Sequence, residues 1–319
     1  MIGLGLACSH AAGMFRPPEV WQEQIKRAAP GMLERYPSAR EQLESLAVCQ
    51  DLHRRIHAAF AHMREQVAQY RPDAIIMVGD DQGDMFDTSN NPAIAIYTGK
   101  EPMWGRTGYE WDTPVPDRSK VHVKPAPELS MHLLKSLTQQ GFDVTNLARF
   151  APVGRPGYGL SHMAARIVPE LDPSGTIPVI CVFLNEYFAP MPSGRRCAEL
   201  GRAIARAFGS RSERVAICAS GGLSHYPSAA DANRGDIDIP LDTWVLERIV
   251  RNDVAALENL FSFDSQSLRS GTGEIRAWIS VAAAMNRPAT VLDYMPVHST
   301  FTGVGFASWP ALETEGARA

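Results

Sequence analysis

Val215-Ala216-Ile217-Cys218-Ala219-Ser220-Gly221-Gly222-Leu223-Ser224-His225 is the stretch on which the fold turns. Its first part, Val215–Ala219, is a short continuous apolar run, as expected of a strand buried on both faces. Two glycines then break the run. They permit a tight turn and close backbone approach, and they deliver a histidine just past the strand end. An imidazole held on such a turn takes and gives protons near neutral pH.

Three other apolar runs end in the same manner. Ile2–Ala7 leads to Ser9-His10, Ala74–Val78 to Gly79-Asp80-Asp81-Gln82, and Ile177–Leu184 to Asn185-Glu186. Such runs, separated by helical segments, predict an α/β fold with a mostly parallel central sheet and helices on both faces. Ligands of open α/β sheets bind outside the carboxyl ends of the strands. His10, Asp81, Gln82, Asn185 and His225 are therefore expected to line one crevice, with the active site at those ends.

The 319 residues suffice for one large domain or two small ones. No repeat, low-complexity segment or linker interrupts them, so a single catalytic domain over 1–319 is expected. Hydrophobic content of 45% and charged content of 21% are those of a soluble globular protein. The net charge is -4 and Lys and Arg are scattered, which argues against a nucleic-acid partner. No apolar stretch is long enough to span a bilayer, and the N-terminus lacks a signal-peptide pattern. A cytoplasmic protein without a membrane partner is expected. Five cysteines without a Cys-x-x-Cys read as reduced core residues. A metal would then be held by histidine, carboxylate or amide rather than thiolate.

The rest of the chain alternates helix and strand. A helix is predicted from about Glu19 to Ala29. A long one follows, capped by Ser38 with Glu41 three residues on, and runs to about Tyr70. Residues 83–124 form an excursion rich in Gly, Pro, Asn and Asp, with a strand-like Ala93–Tyr97 inside. Pro125–Gln140 and His162–Glu170 read as helices, and Phe142–Asn146 as a strand. Ser193 caps Gly194–Phe208. Helices Leu241–Arg251, Val254–Leu260 and Gly273–Met285 precede a last strand, Ala289–Tyr294. The Gly-rich tail from about His298 reads as a covering loop.

His53 and His57 share a helix face at a spacing that suits zinc. No glutamate follows His53 as metalloproteases require, so solvated or interface histidines are the plainer reading. His122 and His132 lack supporting partners, and His298 is a candidate lid residue. Trp104, Tyr109 and Trp111 are candidates for the wall of an aromatic pocket, or else anchors of the excursion in the core. Arg106 and Arg118 would pair a substrate carboxylate or simply face solvent.

Several ordered motifs point further: Ser9-His10, Val78-Gly79-Asp80-Asp81-Gln82 with Phe86, Gly159-Leu160-Ser161-His162, Pro178–Asn185 with Pro190, Ser220–His225, and Gly273-Glu274 with Trp278. With these the chain resembles the class III extradiol ring-cleavage dioxygenases, the family typified by the catalytic subunit of protocatechuate 4,5-dioxygenase. The resemblance implies an Fe(II) site of two histidines and one carboxylate, with open positions for substrate and O2. It carries the first histidine ligand to His10 and the carboxylate to Glu274. It carries acid–base and substrate-contacting histidines to His162 and His225.

One position departs from that pattern. The family's second histidine ligand follows an Asn-Asp pair, where this chain reads Asp80-Asp81-Gln82. Three outcomes stay open: Gln82 ligates through its carbonyl oxygen, Asp81 takes over, or the metal site is altered or lost. An oxygen-rich set would favour Mn(II) or Fe(II). The implied reaction is O2-dependent opening of a catechol-like or dihydroxypyridine-like ring beside a vicinal diol. The alternatives are a metal-dependent hydrolase or another oxygenase on the same fold, or a non-catalytic binding protein. The chain's own excursion and tail, in place of a small second subunit, suggest a homo-oligomer.

Overall fold

The structure, a computed structural model, describes residues 1–23, 43–107, 120–228 and 230–312. An eight-stranded sheet runs through it in the order β6-β3-β7-β2-β8-β1-β10-β9. The strands are β1 (Ile2–Cys8), β2 (Ala74–Gly79), β3 (Ile94–Tyr97), β6 (Thr145–Leu147), β7 (Val179–Leu184), β8 (Val215–Ser220), β9 (Thr290–Val297) and β10 (Thr302–Trp309). A separate ribbon pairs β4 (Met103–Arg106) with β5 (Lys120–Val123). The pairs β2–β7, β2–β8, β1–β8 and β3–β6 are parallel; β3–β7, β1–β10 and β9–β10 are antiparallel. The expected mostly parallel sheet is therefore present.

Every residue of β2, β7 and β8 is buried, because side chains of successive residues feed opposite cores. Ile76, Val78, Ile180, Val182, Val215 and Ile217 face a layer made by α2 (Pro127–Gln139), α5 (Gly194–Phe208), α6 (Ile239–Val250), α7 (Val254–Leu257) and α8 (Ile275–Met285). Ile75, Met77, Cys181, Ala216 and Cys218 face α1 (Leu46–Tyr70), α3 (His162–Ala165) and α4 (Val168–Leu171). All five cysteines are free and buried, as their apolar settings predict.

Several boundaries differ from the sequence reading. Helix α1 starts at Leu46, where the Ser45 hydroxyl accepts from the Val48 N–H and Ser45 itself is extended. The proposed Ser38/Glu41 cap, and most of the Glu19–Ala29 helix, lie outside the described residues. Of the latter, Glu19 and Val20 lie in a short 3-10 turn, Pro18–Val20, and residues 21–23 are helical as expected. His162–Glu170 is two short helices, α3 and α4, rather than one.

The largest correction is the tail. It is no covering loop: β10 is buried along its whole length and is wedged between β1 and β9. It is preceded by a short 3-10 turn, His298–Thr300, where the His298 and Ser299 N–H groups donate to the Glu44 carboxylate.

Packing of α5 on α8 fixes the element that carries Glu274. At their crossing a Cβ on Gly201 would lie 1.9 Å from the Ser280 carbonyl oxygen. Backbone cannot yield as a flexible side chain does. Gly201→Ala is therefore expected to cost about 1–3 kcal/mol and to lower the thermal midpoint. A midpoint equal to that of the parent chain would contradict this account of the crossing.

Candidate active site

Four strand ends and one helix start meet at the carboxyl edge of the sheet. β1 delivers His10, the turn after β2 delivers Gln82, the turn after β7 delivers Tyr187, and the turn after β8 delivers His225. Glu274 closes the 3-10 turn Ser270–Glu274 that leads into α8.

The Glu274 carboxylate, fully buried, is the hub. Its Oε1 lies 3.4 Å from His10 Nε2 and 3.7 Å from His225 Nε2. The Gln82 amide donates to it at 2.6 Å and the Tyr187 hydroxyl at 3.0 Å. The Gly222 N–H donates to Oε2. Gly221 has no alternative here, since a Cβ would come 2.7 Å from Glu274 Cβ. The glycine pair therefore admits the carboxylate as well as making the turn. Burial opposes ionisation of Glu274, but the His10 and His225 imidazoles and the Gly222 N–H outweigh it and hold the carboxyl down at about 2.

Each histidine is oriented from behind. His10 Nδ1 lies 3.0 Å from Ser220 Oγ, which turns Nε2 toward Glu274. His225 Nδ1 lies 2.9 Å from the Leu223 carbonyl oxygen. A carbonyl only accepts, so Nδ1 carries a proton and Nε2 is the ring atom turned into the site. That Nε2 is 3.1 Å from the Tyr187 hydroxyl. The His162 ring stacks near His10, with centroids 6.1 Å apart, and its Nδ1 is 3.5 Å from Asp84 Oδ2. Burial, followed by the charges of Arg166, His10 and Arg155, drives the His162 pKa well below its usual range, so the ring is neutral.

The structure separates Asp81 from Gln82. Both Asp81 carboxylate oxygens accept from the Met85 N–H, and one also accepts from the Phe86 N–H. The group is spent on its own loop and does not join the His10–Glu274 cluster, whereas Gln82 does. Asn185 is likewise a loop staple. Its side chain bonds Phe188 N and O and the Pro190 carbonyl, which holds Tyr187 in place. Sequence reasoning missed Tyr187; an aromatic two residues beyond a staple asparagine was its only signal. A cavity of about 550 Å³ borders the site, lined in part by Asp80, Phe86, Phe183 and Tyr187.

The remaining candidates lie elsewhere. His53 and His57 face each other across 3.0 Å on α1, and His132 bonds the Ala207 carbonyl. Trp104 packs on Phe150, and the Arg106 guanidinium donates to the Gly157 carbonyl. Tyr109, Trp111 and Arg118 lie outside the described residues.

Behind His225, a buried carboxylate anchors the turn. Asp242 on α6 accepts from the Ser224 N–H (2.7 Å), the Ser224 hydroxyl (2.9 Å) and the Tyr294 hydroxyl (2.7 Å). Burial lifts its pKa to about 6, against the pull of those donors. The folded chain thus keeps a proton that the unfolded chain loses near pH 4. This contribution to stability is fullest below about pH 4 and is lost as pH rises through about 6, a change of up to about 3 kcal/mol. Asp242→Asn is expected to flatten the dependence of the thermal midpoint on pH between 4.5 and 7. An unchanged slope would remove Asp242 as its source.

The chain matches the family "Catalytic LigB subunit of aromatic ring-opening dioxygenase" over residues 37–307. It is 24% identical over 181 residues to the 2,3-dihydroxyphenylpropionate/2,3-dihydroxicinnamic acid 1,2-dioxygenase of Klebsiella pneumoniae, covering 57% of this chain and 52% of that protein. It is 26% identical over 172 residues to the protein of the same name from Photorhabdus laumondii, covering 54% and 49%. The chain spans about half the length of these curated relatives. A solved structure of an uncharacterized Escherichia coli K12 protein aligns with 14% identity and a TM-score of 0.49, covering 96% of this chain and 99% of that one. No described helix is long and apolar enough to cross a membrane. With most of its length matched, from residue 37 to residue 307, the chain belongs to the LigB family of aromatic ring-opening dioxygenase catalytic subunits, which are non-haem metal-dependent enzymes.

Proposed function

We propose that this protein is an extradiol-type dioxygenase that opens a catechol-like or dihydroxypyridine-like ring with O2, using Fe(II), or Mn(II) in its place. The observation that carries the reading is the convergence of His10 Nε2 and Glu274 Oε1, 3.4 Å apart and buried, at the carboxyl edge of the sheet. The relatives' names specify a 2,3-dihydroxyphenyl substrate, which is an aromatic vicinal diol of the class proposed here.

The donor chemistry suits a divalent cation. An imidazole nitrogen and an ionised carboxylate oxygen face each other, and the Gln82 amide reaches both. Among the described residues no group of three His, Cys, Asp or Glu side chains is placed to hold a metal. The third donor is then the Gln82 amide oxygen. His10, Glu274 and Gln82 would hold the ion. When bound, it supplies a shared electrophile for the diol oxygens and O2.

The chain's own groups supply the rest. His225 Nε2, the ring atom turned into the site, is placed to take a proton from a substrate hydroxyl. Tyr187 spans His225 and Glu274 and keeps both from rotating. His162, neutral and half-buried beside His10, offers a hydrogen bond to negative charge developing on the reactants. Phe86 and Phe183 give the neighbouring cavity walls suited to a flat ring.

The test is direct. Protein loaded with Fe(II) without oxygen, then given O2 and a panel of catechols and dihydroxypyridines, is expected to form a yellow ring-opened product. O2 uptake should match product one for one. No metal uptake and no turnover across the panel would overturn the reading.

A further inference from the structure

Gln82 is held in place at some cost. Its φ of 53° lies in the left-handed region, which non-glycine residues seldom adopt. Two backbone contacts keep it there. Its N–H donates to the Asp80 carboxylate, and its carbonyl accepts from the Arg155 guanidinium at 3.2 Å. The outcome is a side chain aimed into the gap between His10 and Glu274. Its Nε2 lies 2.6 Å from Glu274 Oε1 and 3.1 Å from His10 Nε2.

The two ends of an amide are opposites. Against an ionised carboxylate only the NH2 end is tolerated, because an amide oxygen there would oppose the negative charge. That NH2 carries two protons, enough for Glu274 and for the lone pair on His10. A cation shared by His10 and Glu274 repels those protons and needs the oxygen end instead. The group must therefore turn by half a revolution about its last side-chain bond. The oxygen it then presents is a neutral, hard donor, weaker toward Zn(II) than an imidazole.

We infer that Gln82 sets the affinity and preference of the cation site: its NH2 joins Glu274 to His10 in competition with the ion, and its oxygen biases the site toward oxygen-preferring ions. The inference rests on the assignment of His10 and Glu274 as ligands. It gives this chain a loosely held, exchangeable metal and less Zn(II) preference than a histidine at 82 would confer.

The test titrates chelator-stripped full-length protein with Mn(II) and, separately, with Zn(II), by calorimetry. Gln82→His is expected to tighten Zn(II) binding by about tenfold or more and to change Mn(II) binding far less. Histidine tolerates the left-handed backbone better than most residues. Gln82→Leu, which has neither amide end, is expected to weaken both ions and to lower the thermal midpoint of the stripped protein. If the parent chain binds one equivalent and Gln82→His binds Zn(II) no tighter, the inference fails while the proposed activity stands. If the parent chain binds neither ion and Gln82→His takes up one equivalent, the inference stands and the metal-dependent activity fails. Failure of both proteins to bind either ion overturns both.

Discussion

Glu274→Ala is expected to leave the protein without metal and without activity. The carboxylate is the common acceptor of the site, taking hydrogen bonds from Gln82, Tyr187 and the Gly222 N–H, and it faces both His10 and His225. Removing it leaves three donors without their acceptor and takes the anionic group from beside His10 and His225. Each donor left unsatisfied costs about 1–3 kcal/mol of stability, and a cation beside His10 loses its anionic ligand, about 100-fold or more in affinity. Glu274→Gln keeps the shape and loses the charge, and it separates the two effects. It should retain the fold but bind metal almost as poorly. Elemental analysis after Fe(II) loading, with circular dichroism as a check on folding, gives the answer. Stoichiometric iron in a folded Glu274→Ala would remove Glu274 from the ligand set.

The same carboxylate makes the protein sensitive to acid. Its pKa is about 2, below the ordinary glutamate value of 4.5. A depressed folded value means stability that is present above about pH 4.5 and lost as pH falls toward 2. Asp80 behaves in the opposite sense. Burial raises it to about 8, against the Glu186 and Gln82 N–H groups, so its contribution is fullest in acid and fades as pH rises through 8.

How far the sequence carries is seen best at the strand ends. β2, β7 and β8 were legible because a strand buried on both faces is a continuous apolar run, and each run stops at a polar turn. β10 was hidden by its composition. Thr302-Gly303-Val304-Gly305-Phe306 has the glycines of a loop, yet it lies in the sheet between two antiparallel neighbours. Its partners, β1 and β9, differ greatly in distance along the chain, and no local pattern announces such pairing. At the site, adjacent residues of one turn took opposite directions: Asp81 toward its own loop and Gln82 toward His10. Periodicity holds within helices and strands, not in turns, so nothing in Asp80-Asp81-Gln82 could have told these two apart. Tyr187 was out of reach for the same reason, because its place depends on the staple that Asn185 makes with Phe188 and Pro190.

His225→Ala is expected to divide chemistry from metal binding. The ring's Nδ1 is committed to the Leu223 carbonyl, so Nε2 is the atom it presents to the site. That atom stands 3.7 Å from Glu274 Oε1 and 3.1 Å from the Tyr187 hydroxyl, on a turn of its own beyond β8. Deleting the ring removes a proton acceptor and leaves His10, Gln82 and Glu274 in place. Loss of a positioned general base costs about 10²–10⁴-fold in rate. Iron affinity should fall by no more than about 10–100-fold, so iron is retained at saturating Fe(II), since a removed neighbour of a ligand matters less than a removed ligand. Rate and iron therefore part company in this variant, whereas in Glu274→Ala they fall together. An added small base such as imidazole, fitting the space left by the ring, should restore part of the rate to His225→Ala and none to Glu274→Ala. Equal iron and equal rates in the two variants would show that the acid–base and metal-holding roles are not divided between these residues.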